Sequence, residues 1–123
     1  MNINPDDFTE GAWEAITDAK DIAINENHQS LESEHLFYSL LRGNQVLRKI
    51  IDNTGSSLNN LLSQIKEFIK FQPTMKKRQD SIFFGKSISS IIIKAFEIKS
   101  TFDDDFVASE HLVISLFDDE RVC

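Results

Sequence analysis

The sequence predicts an all-α domain, and three observations carry that expectation. Apolar residues recur at i, i+3 and i+4 through most of the chain, the spacing of helices with one buried face. Helix breakers are scarce, with 4 Gly and 2 Pro in 123 residues, and no stretch alternates Val, Thr and Tyr as a half-buried strand would. Finally, a shift of 76 residues lays Ser33-Glu34-His35-Leu36 on Ser109-Glu110-His111-Leu112. A repeat of that length implies a helical unit used twice.

The elements follow in order. Pro5-Asp6-Asp7-Phe8-Thr9 reads as a helix entrance, with Thr9 as N-cap and acids near the positive end of the dipole. Ala12, Ala15, Ile16, Ala19, Ile22 and Ala23 form the buried stripe of the helix it opens, with Trp13 beside them, and the helix fades between Asn25 and His28. Ser33 caps a shorter helix whose apolar face is Leu36, Phe37, Leu40 and Leu41, and Gly43 stops it. A third helix runs from about Gln45 to Thr54 with Val46, Leu47, Ile50 and Ile51 inward and Gly55 at its C-terminal cap. Ser56 or Ser57 opens a fourth, with Leu58, Leu61, Leu62, Ile65, Phe68 and Ile69 at helical spacing, ending before Pro73. Residues from Phe71 to about Asp80 lack periodicity and form a linker. Ile88, Ile91, Ile92, Ala95, Phe96 and Ile98 define another amphipathic helix, and a break at Thr101 to Asp105 leads to a short last one opened by Ser109.

The 76-residue shift also pairs Phe8 with Phe84, Ile16 with Ile92, Ala19 with Ala95, Ile22 with Ile98, Ser39 with Ser115 and Leu40 with Leu116. The chain is therefore expected to be one domain, residues 1–123. Repeat one spans about 8–72, a linker about 73–83, and repeat two begins near 84. Repeat two lacks counterparts of the helices at 45–54 and 57–70, so it is expected either to be cut short at 123 or to use something else there. Ala12, Ala15, Ile16, Ala19, Leu36, Leu40, Ile92, Ala95, Leu112 and Leu116 are expected to form the core between the units.

Composition bounds the function. The net charge is −7 and the pI near 4.8, which argues against nucleic acid, whose phosphates need a positive field. Basic or apolar polypeptide suits an acidic domain better. The run Lys76-Lys77-Arg78 falls in the linker and reads as a solvated loop. Cys123 is the single cysteine, so an internal disulfide is impossible and a reducing compartment fits. No apolar run approaches the roughly 18 residues of a membrane span. Met1 to Asp7 lack Lys and Arg, unlike a signal or transit peptide, so the cytoplasm is the expected location.

Chemistry is weakly signalled. Gly85-Lys86-Ser87 matches the end of a phosphate-binding loop, but the position of its first glycine holds Asp80 and no apolar strand precedes it. His35 and His111 occupy equivalent positions in the two units, which points to a shared packing role rather than a metal site; zinc needs three or four ligands and no interior Cys is present. Glu32 and Glu34 straddle a cap, and Asp103-Asp104-Asp105 lacks the spaced ligands and glycine of a calcium loop. No nucleophile motif occurs. No catalytic residue, metal or cofactor is assigned.

The run Phe8-Thr9-Glu10-Gly11-Ala12-Trp13-Glu14-Ala15-Ile16, then Asp18-Ala19 and Leu31-Glu32-Ser33-Glu34-His35-Leu36, within a twofold repeat joined by a linker, resembles the Clp N-terminal domain over nearly the whole chain. The Phe-Thr-x-x-Ala-Trp opening, His28-Gln29, the exit Phe68-Ile69-Lys70-Phe71-Gln72-Pro73 and Gly85-Lys86-Ser87-Ile88 are similar to the ClpB branch, the disaggregating chaperone. The resemblance implies an all-α fold of two helical repeats about a pseudo-twofold. It implies a non-catalytic module that recognises unfolded or aggregated polypeptide, and possible adaptor proteins, for an ATP-dependent AAA+ motor elsewhere in a homohexameric parent protein. The isolated domain is expected to be monomeric. By position, the rim of an apolar peptide groove would be Thr9, Asp104 and Glu110. Thr9 as a plain N-cap and Glu110 as a plain first-turn acid are the competing structural roles. Three other functions stay open: docking of adaptors for a protease-feeding ClpA- or ClpC-type unfoldase, a free-standing regulatory protein, and a hydrolase.

Overall fold

The computed structural model describes residues 3–77 and 81–118, and among these the fold is helical. A 3-10 turn, Pro5–Asp7, leads into α1 (Glu10–Asn25), α2 (Ser33–Gly43), α3 (Gln45–Asn53) and α4 (Leu58–Lys70); α5 (Lys86–Thr101) and α6 (Ser109–Phe117) follow. Arg78, Asp80 and Cys123 lie outside the described residues.

Local chemistry explains the boundaries. The Thr9 hydroxyl accepts the Ala12 N–H at 3.2 Å and caps α1 as its sequence suggests. The Asn44 side chain accepts from Leu47 N–H at 2.8 Å, so one residue ends α2 and starts α3. Ser57 caps α4 through Asn60 N–H. Gly55, at φ +81°, supplies the left-handed residue that closes α3.

The short helices differ from expectation at their first residue. Ser33 and Ser109 do not cap; they are already helical, and the N-cap positions are Glu32 and Ala108. The histidine at the third helical position does the work instead. His35 Nδ1 accepts the Glu32 N–H at 2.9 Å and His111 Nδ1 accepts the Ala108 N–H at 2.8 Å, the part a Glu or Gln takes in a capping box.

Nine of the ten expected core residues are buried, and Ala15 is half-buried. The inward faces of α3 and α4 are narrower than their periodicity suggests. In α3 Leu47 is buried and Ile51 partly so, but Val46 and Ile50 are exposed. In α4 Ile65 and Ile69 are buried while Phe68 is half in solvent. These helices lie outside α2 and are covered on one side, so part of each apolar stripe remains wet.

The two units join by exchanging short extended segments. β1 (Ser30–Leu31) runs parallel to β2 (Phe83–Phe84), with Leu31 opposite Phe84. At the other end Phe8 pairs in parallel with Val107. These pairs are the same under the 76-residue shift: Phe84 corresponds to Phe8, and Val107 to Leu31. Gly85 N–H donates to Leu31 O at 2.8 Å, and Thr9 N–H donates to Val107 O at 2.9 Å. Each unit thus lends its helix entrance to the turn of the other, as a pseudo-twofold axis requires. Other pairs repeat too. Ser39 donates to Ala15 O at 2.8 Å and Ser115 to Ile91 O at 2.7 Å, while Asn27 and Asp103 have φ of 57° and 56°. Between the units, Thr74 pairs with His28, Met75 N–H donates to Asn27 O at 2.6 Å, and Ile82 is buried.

Candidate functional site

Thr9 at the entrance of α1 meets Val107 through its N–H, and Asp104 and Glu110 lie on either side of Val107 along the chain, at the edge where α1 meets the entrance of α6. Their local roles differ. Thr9 caps α1, Asp104 Oδ2 accepts from His111 Nε2 at 2.8 Å while half of its side chain stays in solvent, and Glu110 lies exposed in the first turn of α6.

A cleft of about 280 Å³ adjoins this edge, between α1, α2 and the start of α6. Its lining includes Gly11, Glu14, Ala15, Leu40, Gly43 and Ser109, and not the three rim residues themselves. Gly11, Ala15 and Asp18 follow one another at i, i+4 and i+7, so they share a face of α1. Small side chains on that face leave room where a larger one would fill it. That spacing of small residues was the available sequence signal; Ala15 belongs to the cleft rather than to the sealed core. Glu14 and Asp18 line one wall, and both Asp18 oxygens accept from Arg42 Nη2, at 2.8 and 3.0 Å.

The pseudo-twofold counterpart of this junction carries a hydrogen-bonded carboxylate. Where the first junction has Gly11, Ala108 and Ser109, the second has Ser87, Glu32 and Ser33. Ser87 donates to Glu32 Oε1 at 2.6 Å and accepts from Ser33 N–H at 2.9 Å, and Ser30 donates to Glu32 Oε2 at 2.5 Å. A Cβ on Gly85 would run into the same carboxylate. The counterpart of Ala15 is Ile91, which is buried. The side chains are therefore not symmetric across the repeat: a carboxylate bonds across one junction, and small residues stand at the corresponding places of the other.

The histidines serve the fold. His35 Nδ1 is an acceptor, so its proton resides on Nε2 and is donated to His28 Nδ1, 2.8 Å away. His28 is buried, and among the described residues its Nε2 has no partner within hydrogen-bond geometry. Burial pushes His28 below its ordinary pKa, opposed by the charge of Glu26 and the nearby Ile69 carbonyl. In the second unit Asp104 takes the place of His28 under the repeat and accepts from His111. Among the described residues no group of three or more His, Cys, Asp or Glu could hold a metal ion, and no helix is long and apolar enough to cross a membrane.

Comparison with known proteins agrees with this architecture. Residues 7–123 match the family described as the Clp repeat (R) N-terminal domain. The chain is 39% identical over 123 residues to chaperone protein ClpB of Prochlorococcus marinus, covering 100% of this chain and 14% of that protein. It is 34% identical to ClpB 1 of Parasynechococcus marenigrum, covering 98% of this chain and again 14% of the relative. The chain thus spans about a seventh of the length of these relatives. In fold it is similar to the Hsp104 N-terminal domain of Candida albicans, with a TM-score of 0.87 at 21% identity over 94% of this chain and 77% of that one. A ClpV N-domain in complex with a VipB peptide is also similar, with a TM-score of 0.68 at 15% identity over 94% of this chain and 76% of that one. On the family match and the ClpB identities together, this chain belongs to the Clp repeat N-terminal domain family, with chaperone ClpB among its relatives.

Proposed function

We propose that the chain is the N-terminal substrate-recognition domain of a ClpB-type, ATP-dependent disaggregase and binds unfolded or aggregated polypeptide along the α1–α6 edge. The observation that carries this reading is the cleft at that edge. The junction beside Thr9, Asp104 and Glu110 has a cleft lined by half-buried Ala15, by the buried Leu40 and by Glu14 and Asp18. Apolar burial at roughly 25 cal/mol per Å² attracts any unfolded segment without demanding a sequence. Acids at the rim favour segments carrying Lys or Arg. Ordering a flexible peptide opposes burial, so binding is weak and release is easy. ATP chemistry then belongs to other parts of a hexameric, cytoplasmic parent protein, and this domain supplies captured chain at high local concentration. In this chain the N-terminus of α5, at Gly85-Lys86-Ser87, faces the carboxylate of Glu32.

The test is titration of labelled, unfolded peptides rich in Lys, Arg and apolar residues against the wild type and a Thr9→Ala, Asp104→Ala, Glu110→Ala variant. The expected result is an affinity loss of about tenfold or more, equivalent to about 1.4 kcal/mol, with helicity retained. Equal affinity in a folded variant overturns the site.

Adaptor docking is the second reading. It is favoured by the similarity in fold to a ClpV N-domain that holds a defined peptide. Pull-down against unfolded casein and against folded adaptors separates the two.

A further inference from the structure

The end of α4 carries more apolar surface than its own unit covers. Phe68, Phe71 and Met75 are 50%, 85% and 37% exposed. Lys66, Lys70, Lys76 and Lys77 are exposed among them, with Glu67 the one acid of that stretch. In a chain of net charge −7 this strip is a basic exception. Beside it Phe37, Leu61, Ile65 and Phe68 line a groove of about 220 Å³ between α2 and α4. Glu34 also borders the groove but is 5% exposed and presents little charge outward.

The turn between α5 and α6 has the opposite character. Phe102 and Phe106 are 56% and 50% exposed and bracket Asp103-Asp104-Asp105. The turn is preformed: Asp103 holds a φ of 56°, Asp104 N–H donates to Lys99 O, and Asp104 Oδ2 is engaged by His111. Asp103 and Asp105 are exposed on either side. Exposed aromatic groups clustered with charge of one sign mark surfaces that bind a complementary one.

We infer that the 102–106 turn of one copy docks on the α2–α4 groove of a second copy, with a Phe ring in the groove and Asp103 and Asp105 facing the lysine strip. The two surfaces differ, so the contact is head-to-tail and leaves a free end on each partner. A five-residue turn buries little area, and exposed ion pairs are screened by salt. The contact is therefore weak in dilute solution and effective where copies are held close together, at effective concentrations of about millimolar. The turn includes Asp104 of the peptide rim, but the docking contacts are a Phe ring, Asp103 and Asp105, so the contact does not depend on the peptide-binding reading.

Sedimentation of the chain over a concentration series at low salt tests the contact. Apparent mass should rise with concentration for the wild type and fall back when salt is added. Two variants break opposite sides: Lys70→Glu with Lys76→Glu reverses the strip, and Asp103→Asn with Asp105→Lys neutralises the turn while keeping at 103 a residue that tolerates positive φ. Each alone should lose self-association. An equimolar mixture should regain a dimer that cannot extend, because one intact turn meets one intact strip. The inference is overturned by a wild type whose mass is independent of concentration up to about millimolar. Association that survives in both variants, or a mixture of folded variants that recovers nothing, overturns it equally.

Discussion

His28 and His35 share one hydrogen bond that works only while both rings are neutral. A proton added to His28 Nδ1 would face the Nε2–H of His35, and one added to His35 Nδ1 would face the Glu32 N–H. Glu26 favours a charged His28, and the oxygens of Glu32 are engaged by Ser30 and Ser87. Burial outweighs Glu26 and holds His28 below its ordinary value of about 6.5. The sign follows. Below about pH 6.5 the unfolded chain binds a proton that the folded chain refuses, so stability falls as the pH drops through that value. It levels off once His28 itself protonates, and above about pH 7 its contribution is complete. Urea unfolding midpoints against pH check this. His28→Asn, which keeps an acceptor near Nδ1 and cannot take a proton, should flatten the acid side of the profile. An unchanged slope in that variant would assign the acid sensitivity elsewhere. The positions of His35 and His111 were legible as a repeated packing device. Their different partners, His28 and Asp104, align under the same shift, but nothing in residue type announced that a histidine and an aspartate would do one job.

At the scale of elements, Glu32 links the entrances of α2 and α5. It accepts from Ser30 and Ser87, and Gly85 is buried beneath it at an ordinary φ of −73°. Gly85 is thus required by space, not by backbone conformation. Gly85→Ala should displace the carboxylate and cost the charged hydrogen bonds it accepts, about 2 kcal/mol of stability. Glu32→Ala should remove most of the further loss from Gly85→Ala, a coupling that a double-mutant cycle in urea measures. Additive losses would show that the methyl group meets something else. The helices themselves were largely readable, because long apolar stripes, Thr9, Ser57 and Gly55 announce their faces and ends locally. Ser33 and Ser109 misled because a cap formed by a histidine three residues on leaves the serine inside the helix. Val46, Ile50 and Phe68 misled because periodicity reports which face is apolar, not how much of it a neighbour covers. The α1–α6 cleft was missed for a related reason, since Gly11 and Ala15 are as compatible with a close helix contact as with an opening.

Across the whole molecule, the exchange of entrances decides how the halves respond to damage. Phe8 belongs to the first unit, yet its ring lies 5.6 Å from Phe96 of the second and 5.6 Å from Trp13. Thr9 is bonded to Val107 and Gly85 to Leu31, and the buried side chains of both units form one continuous cluster. The repeat was visible in sequence, but these cross-pairings were not, because they join residues whose partners lie about a whole unit away and leave no periodic trace. A core so shared leaves neither half a complete apolar interior, so both should melt in one transition. Trp13, the chain's single tryptophan, makes this measurable from the first unit alone. Leu112 is fully buried in α6 of the second unit, and Leu112→Ala should cost about 2–5 kcal/mol. The Trp13 fluorescence midpoint and the far-UV helical signal should then move together and by equal amounts. If fluorescence stayed at the wild-type midpoint while part of the helical signal melted earlier, the units would be independent, and the exchanged entrances would be contacts without energetic consequence.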